Sequence, residues 1–232
     1  MLIKSSKDER GLTNAGWLRS KHSFSFGSFY DPEKMGFSVL RVINEDRVIP
    51  GAGFGTHPHN NMEIISYVLN GGLAHKDSMG SGSIIKPGDI QIMSAGSGVA
   101  HSEYNASDNE EVHFLQIWIM PNVVNQKPNY QQKTFNPEEL HNKFRIVISS
   151  DGEDQSLLIR QDARMFAGTF DEGYQTTVPV NAHRRYWLQM ARGTARINEE
   201  QISAGDSLAV KNTDTLELTA ITNAEILLFD LP

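Results

Sequence analysis

Two short segments of this chain place metal-binding side chains at a spacing that lets them act together. Residues 51–63 read G-A-G-F-G-T-H-P-H-N-N-M-E, with His57 and His59 two positions apart. Residues 96–105 read G-S-G-V-A-H-S-E-Y-N, with His101 and Glu103 two apart. In a β-strand, positions i and i+2 project from the same face, so each pair can reach one point. If the two segments are neighbouring strands, three imidazoles and one carboxylate converge on a single interior position. Such a set suits one divalent transition metal, Fe, Mn, Co, Ni, Cu or Zn. On an octahedral ion, four protein ligands leave two positions for solvent, substrate or O2. An open position is the mark of a catalytic metal.

The rest of the composition narrows the alternatives. Five of the eight histidines (His57, His59, His75, His101 and His113) fall within 57 of the 232 residues, and the chain has no cysteine. A disulfide framework, a thiolate zinc site and a cysteine nucleophile are therefore excluded. With 21 basic against 28 acidic residues the net charge is -7, and no Lys/Arg block forms a phosphate-tracking stripe, so no direct nucleic-acid partner is expected. The first ten residues, M-L-I-K-S-S-K-D-E-R, contain no apolar core of a signal peptide, and no stretch reaches the 18 or more apolar residues of a membrane span. A soluble, cytoplasmic, monomeric protein is expected.

The elements that must position the metal-binding pairs read as strands. Short β-branched and aromatic runs recur with Gly, Pro, Asn and Asp between them. The clearest are 37–43, 63–69, 83–85, 90–93 and 113–120 in the first half, then 144–148, 157–159, 185–189, 194–197, 207–210, 216–220 and 226–229. They predict an all-β chain of antiparallel sandwich or barrel type. From Pro121 to Asn142 the pattern gives way to an Asn/Gln-rich linker. There Asn136-Pro137-Glu138-Glu139 signals a short helix, with an N-cap, a proline at the first helical position and acidic residues in the first turn. Two domains are expected, 1–134 and 135–232. Both halves carry a His, a Gly turn and a Gly-Asp pair in the same order (His59, Gly71-Gly72, Gly88-Asp89; His183, Gly193, Gly205-Asp206), which suggests an internal duplication.

The histidine segments resemble the first and second cupin motifs. Glu103 beside His101, with Gly16-Trp17, His22-Ser23-Phe24-Ser25-Phe26, Tyr30-Asp31-Pro32, Gly53-Phe54-Gly55-Thr56, Asp77-Ser78-Met79-Gly80, Gln91–Gly96 and the final Leu228–Pro232, makes the chain similar to the pirins. The resemblance implies two cupin (jelly-roll) domains joined by a short helix, the N-terminal one holding a metal, usually iron as Fe(II), and the C-terminal one metal-free. It carries the ligand role onto His57, His59, His101 and Glu103. A generic cupin would use Glu63 instead; the i, i+2 relation to His101 favours Glu103, leaving Glu63 either to line the pocket or to stand behind the ligands, where it can orient an imidazole. His75, beside Lys76-Asp77, is expected at an exposed hairpin end, and His113 is left open between pocket and ordinary packing. The aromatic run Phe24, Phe26, Phe29, Tyr30 and Phe37 is assigned to packing. Met35 and Met93 are left open, and Arg41 alone does not make a phosphate site.

The activity this resemblance implies is a dioxygenase that opens the central ring of a flavonol such as quercetin with O2 and releases CO, with Glu103 as the catalytic base. The alternative is a metal-binding regulatory protein that acts through protein contacts without turnover.

Overall fold

The computed structural model describes all 232 residues. The first part of the chain forms β1 (Leu2–Ser5), β2 (Gly11–Asn14), β3 (Leu18–His22), β4 (Leu40–Val48), β5 (Gly53–His59), β6 (Glu63–Asn70), β7 (Leu73–Asp77), β8 (Gly82–Ile85), β9 (Asp89–Ser94), β10 (Val99–Asn105), β11 (Val112–Ile119) and β12 (Asn129–Thr134). A short helix α1 (Pro137–Leu140) follows, then β13 (Arg145–Ser149), β14 (Leu157–Leu158), β15 (Arg164–Phe170), β16 (Gln175–Pro179), β17 (Arg185–Arg192), β18 (Thr194–Ile197), β19 (Glu200–Ser203), β20 (Ser207–Lys211), β21 (Thr215–Ala220) and β22 (Ala224–Leu231). The fold is all-β, as the punctuated strand pattern predicts.

The chain divides into two compact units. One comprises Arg10–Phe135 with Leu157–Gln161; the other comprises Met1–Glu9, Asn136–Ser156 and Asp162–Pro232. This is not a single cut at 134/135. The first residues leave the N-terminal part because β1 pairs along its whole length with β20, Leu2 opposite Val210 and Ser5 opposite Ser207. Leu157–Gln161 goes the other way. The Gln131 side chain accepts from the Leu158 amide at 3.0 Å and donates to the Leu158 carbonyl at 2.9 Å.

Each unit has a larger and a smaller antiparallel sheet, and the strand orders repeat. In the first unit the sheets run β12-β9-β6-β11-β4-β3-β2 and β5-β10-β7-β8; in the second, β1-β20-β17-β22-β15-β13 and β16-β21-β18-β19. Adding eleven to each of β4 through β11 gives β15 through β22 with every neighbour preserved. The shared landmarks fall at matching places. Gly71 (φ 78°) turns β6 into β7 and Gly193 (φ 73°) turns β17 into β18, while Asp89 opens β9 and Asp206 immediately precedes β20. Both glycines hold a left-handed backbone that a Cβ would strain.

Alternation builds the cores. On β21 every second residue (Leu216, Leu218, Ala220) is buried, and these join Leu188, Met190, Ile197, Ile226 and Leu228 in the core of the second unit. The first unit buries Val48, Val68, Leu73, Ile85, Val112 and Phe114 in one cluster and Ile64, Met93, Ala95 and Val99 in another. The helix expected at Asn136 is present, and the Asn136 amide donates to Glu139 Oε2 at 2.9 Å. The region read as a linker also contains a strand, β12, because the Gln-rich segment pairs in register with β9, Gln132 opposite Gln91.

Candidate metal centre

The two histidine segments are paired strands, as the metal reading requires. β10 lies against β5 with His101 opposite His57 and Val99 opposite His59; the register shifts between His101 and Glu103, which puts Glu103 opposite Phe54. On the other side of β10, Glu103 faces His75 of β7. His101 is thereby enclosed by imidazoles. The ring centroids of His57, His59 and His75 lie 4.4, 4.9 and 5.3 Å from its own, and His57 and His59 are 4.8 Å apart.

The result is two overlapping donor groups with His101 in both. The donor atoms of His57, His59 and His101 lie within 4.8 Å of one another, and so do those of His75, His101 and Glu103. The register shift accompanies the division, since it sets Glu103 opposite Phe54 of β5 and His75 of β7. His75 is not at an exposed hairpin end. It is 3% exposed, since β7 is an inner strand of its sheet, flanked by β8 and β10.

Electrostatics leaves these groups ready to ligate. Burial, then the charge of His57, lowers His59 to about 4; burial, then His57, His59 and His75, lowers His101 to about 3. Both imidazoles are therefore neutral at pH 7. His57 Nδ1 donates to the Gly55 carbonyl at 2.8 Å, which leaves Nε2 as the ring nitrogen available to a metal. Burial raises Glu103 to about 7, with a hydrogen bond from Ser66 Oγ at 3.2 Å opposing and the nearby Asp46 carboxylate reinforcing. Asp46, itself 3% exposed, is raised to about 7 by burial.

The donor set fits a divalent cation. His59 Nε2, both ring nitrogens of His101 and His75 Nδ1 are buried without a hydrogen-bond partner. Each such orphan costs about 1–3 kcal/mol, and a metal would satisfy several at once.

His59 also lines a cavity of about 550 Å³ with Pro58, Met62, Val99 and Trp118. Trp118 packs edge-on against His59 at 4.9 Å and against Phe26 at 5.3 Å. A second cavity of about 310 Å³ shares Met62 and Trp118 and adds Phe26, Phe29, Tyr30, Met35 and Arg41. The aromatic run is thus split: Phe24 is buried packing, whereas Phe26, Phe29 and Tyr30 form a wall. Met35 lines this cavity and Met93 is core.

Glu63 and His113 are engaged away from the imidazole cluster. Glu63 does not orient an imidazole: its Oε2 accepts from Ser94 Oγ at 2.8 Å and from the Arg160 amide at 3.3 Å. Ser94, directly opposite Glu63 in the larger sheet, takes up the carboxylate instead. His113, left open above, is in ordinary packing: its Nε2 meets Glu45 Oε1 at 2.9 Å, and Arg10 holds the other oxygen at 2.6 Å.

Trp118, Met62, Ser66 and Gln116 are residues that motif reading missed. Ser66 Oγ lies 3.2 Å from both Glu103 Oε1 and Gln116 Oε1. They belong to a buried polar row across five strands, His22, Asn44, Gln116, Ser66 and Gln91, each directly opposite the next. The signal was a single polar residue inside an otherwise apolar run, as in E-I-I-S-Y-V-L.

Residues 5–119 match the family described as Pirin, and residues 146–231 match the quercetinase C-terminal cupin domain. A quercetin 2,3-dioxygenase of Escherichia coli strain K12 is 44% identical over 232 residues, covering all of this chain and 99% of that protein. The chain belongs to the pirin family. A pirin-like protein of Caulobacter vibrioides is 38% identical over 99% of both chains. The crystal structure of the bacterial pirin YhhW of Escherichia coli in complex with nickel(II) is 43% identical and superimposes with a TM-score of 0.95, covering all of this chain and 99% of that one. Both units are accordingly cupin domains of a pirin. In the second, the alternate buried positions of β21 are Leu216, Leu218 and Ala220, where β10 has Val99, His101, Glu103 and Asn105. The buried face of that strand offers no donor, and its one carboxylate, Glu217, is exposed.

One glycine of the first motif is fixed by this geometry. A Cβ on Gly53 would lie 2.3 Å from the Glu103 carbonyl oxygen and 2.5 Å from Tyr104 Cα. Gly53→Ala is therefore expected to push β5 off β10 beside the bulge, at a cost of about 1–3 kcal/mol and with weaker metal uptake. Chemical denaturation and nickel titration of the variant check this; parent-like values in both would show that the strands are not pressed together there.

Proposed function

We propose that this pirin is a metal-dependent dioxygenase that opens the central ring of flavonols such as quercetin, consuming one O2 and releasing one CO. The observation that carries the reading is a set of neutral, buried, unpartnered imidazoles beside a cavity with Met62 and Trp118 in its wall. His57, His59, His101 and Glu103 would hold the ion, which we propose to be Fe(II). The relative crystallised with nickel(II) supports a divalent metal of this size and charge. When bound, such an ion supplies Lewis acidity and open positions for substrate and O2.

The chain's own residues do the rest. Trp118, Met62 and Val99 exclude water and offer flat and apolar surface to an aromatic ring. Glu103, the carboxylate of the set, would accept the flavonol 3-hydroxyl proton. Ser66, between Glu103 and Gln116, fixes the carboxylate by hydrogen bonding.

Metal-loaded protein mixed with quercetin should lose flavonol absorbance, consume O2 and release CO in a 1:1 ratio. Binding without CO would favour the regulatory alternative, acting through protein contacts. Glu103→Gln is expected to keep most of the metal and lose at least about 100-fold in turnover, the scale of a positioned general base. Full turnover by the metal-loaded variant would remove Glu103 from the base role.

A further inference from the structure

The second cupin domain keeps a cavity at the place where the first has the one beside its histidines. Strand register shows the correspondence. Tyr186 lies seven residues before the Gly193 turn and Ile64 seven before the Gly71 turn, and Tyr186 stands opposite Asp230 as Ile64 stands opposite Trp118. On the smaller sheets, Leu218 is opposite Ile197 as Glu103 is opposite His75, and Val178 is opposite Leu216 as His57 is opposite His101. Val178, Val180, Leu216 and Leu218 therefore hold the places of His57, His59, His101 and Glu103. The cavity, of about 470 Å³, has Pro179, Val180, Arg184 and Asp230 in its wall, the counterparts of Pro58, His59, Met62 and Trp118 in the wall of the first.

The metal-binding side chains are replaced, yet the space is not filled. Phe166, Val178 and Val180 are only partly buried and, with Leu228, turn apolar surface to it. The opposite wall is polar, because Tyr186, Asp230 and Arg164 stand side by side on β17, β22 and β15. Arg184 neutralises Asp230 through Nε, and its Nη1 and Nη2 are held by the Asp162 carboxylate and carbonyl, each at 2.9 Å. Arg164 differs. Its nearest carboxylates are Glu153 at 3.5 Å and Asp230 at 4.0 Å, and its guanidinium makes no hydrogen bond. The Glu153 pair is half exposed on both sides, and such pairs hold weakly. The Tyr186 hydroxyl accepts from the Asn181 amide at 2.9 Å and keeps its own proton to give. An uncommitted guanidinium fork and a hydroxyl at one end of an apolar cavity match a planar carboxylate on an apolar body. We propose that the second cupin domain binds a small carboxylic acid with a ring-sized apolar body, its carboxylate on Arg164 and Tyr186 and its body against Phe166, Val178 and Val180. The site is independent of the flavonol chemistry proposed for the first domain.

The test is residue-resolved NMR of the full, nickel-loaded chain titrated with phenylacetate, with benzylamine as the probe of opposite charge. Phenylacetate should shift the amides of Val178, Asn181, Tyr186 and Leu228 saturably, with a dissociation constant of about 1 mM, the scale of a fragment-sized ligand. Benzylamine should leave them in place. Arg164→Gln, at a half-exposed side chain, should weaken phenylacetate binding at least about tenfold, the scale of a hydrogen bond to a charged group, with Ni(II) affinity unchanged. Val178→Phe should fill the apolar end and abolish binding while leaving Arg164 intact. Three results would each overturn the proposal: no saturable shift of these amides at about 20 mM phenylacetate, equal shifts with benzylamine, or parent-like affinity in Arg164→Gln. Shifts confined to the first domain would overturn it as well, by placing the acid at the metal.

Discussion

Replacing His101 by leucine is expected to move metal binding and metal-free stability in opposite directions. His101 is the member common to both donor groups, so His101→Leu should reduce Ni(II) affinity by at least about 100-fold, beyond the 10- to 100-fold range of supporting residues. At 100 times its dissociation constant, a metal stabilises the folded parent by about 2.7 kcal/mol; the variant should lose that increment. Without metal the sign reverses. The imidazole is 2% exposed, and neither of its nitrogens has a hydrogen-bond partner, so the folded protein carries an uncompensated cost of about 1–3 kcal/mol per buried orphan. A leucine of similar size removes that cost, and the metal-free variant should be at least as stable as the parent. Urea denaturation with and without Ni(II) decides the matter. A variant clearly less stable than the parent in the absence of metal would mean that His101 is a structural residue.

The same geometry shows what was legible in the sequence. The paired spacings of His57 with His59 and of His101 with Glu103 carried the strand pairing, because a period of two leaves few ways to bring four polar side chains inside a sandwich. The division into two donor groups was not legible. It accompanies the register shift between β5 and β10, and no residue type in G-F-G-T-H announces where an extra residue will sit. His75 was misjudged for a related reason. Lys76 and Asp77 beside it look like a solvated hairpin end, yet on an inner strand alternate residues face opposite sides. Lys76 is exposed while His75 and Asp77 are buried. The reverse error befell Phe26, Phe29 and Tyr30, whose composition suggested packing but which line a cavity. Aromatic side chains serve both purposes, and only topology separates them.

The duplicated architecture was legible as a repeated order of turns because turns need particular residues. What the sequence under-reported was the buried polar row, since one Ser or Gln in an apolar strand resembles ordinary noise. This row bears on the chemistry through Ser66 and Gln116 beside Glu103 and, on the adjoining positions, Asp46. Asp46 lies opposite Phe114 and next to Glu45. Burial in that interior is what holds both carboxylates near 7.

That elevated carboxylate predicts how metal affinity varies with pH. His59 and His101, lowered to about 4 and 3, are already neutral above pH 5 and release no proton when metal binds there. Glu103, raised to about 7, is protonated below that value and must lose its proton to ligate. From pH 5 to 7, Glu103 should therefore contribute about one released proton per Ni(II), a gain in affinity of about tenfold per pH unit and about 100-fold in all, levelling off above 7. Glu103→Gln should lower the slope by one proton. Folding in the absence of metal follows the opposite trend. Because the folded pKa of Glu103 and of Asp46 lies above the unfolded value, the native state binds more protons, and stability contributed by these groups is full near pH 4 and is lost as the pH rises to about 7. Each carboxylate shifted by two to three units accounts for roughly 3–4 kcal/mol at 1.36 kcal/mol per unit. Metal-free protein should thus lose the carboxylate contribution to stability over the interval in which it gains metal affinity. The difference in stability between metal-loaded and metal-free protein should be largest at and above pH 7. Calorimetric proton release in two buffers, with denaturation at pH 5 and 7.5, checks both slopes. Equal slopes for the parent and the Gln variant would place the titrating ligand elsewhere.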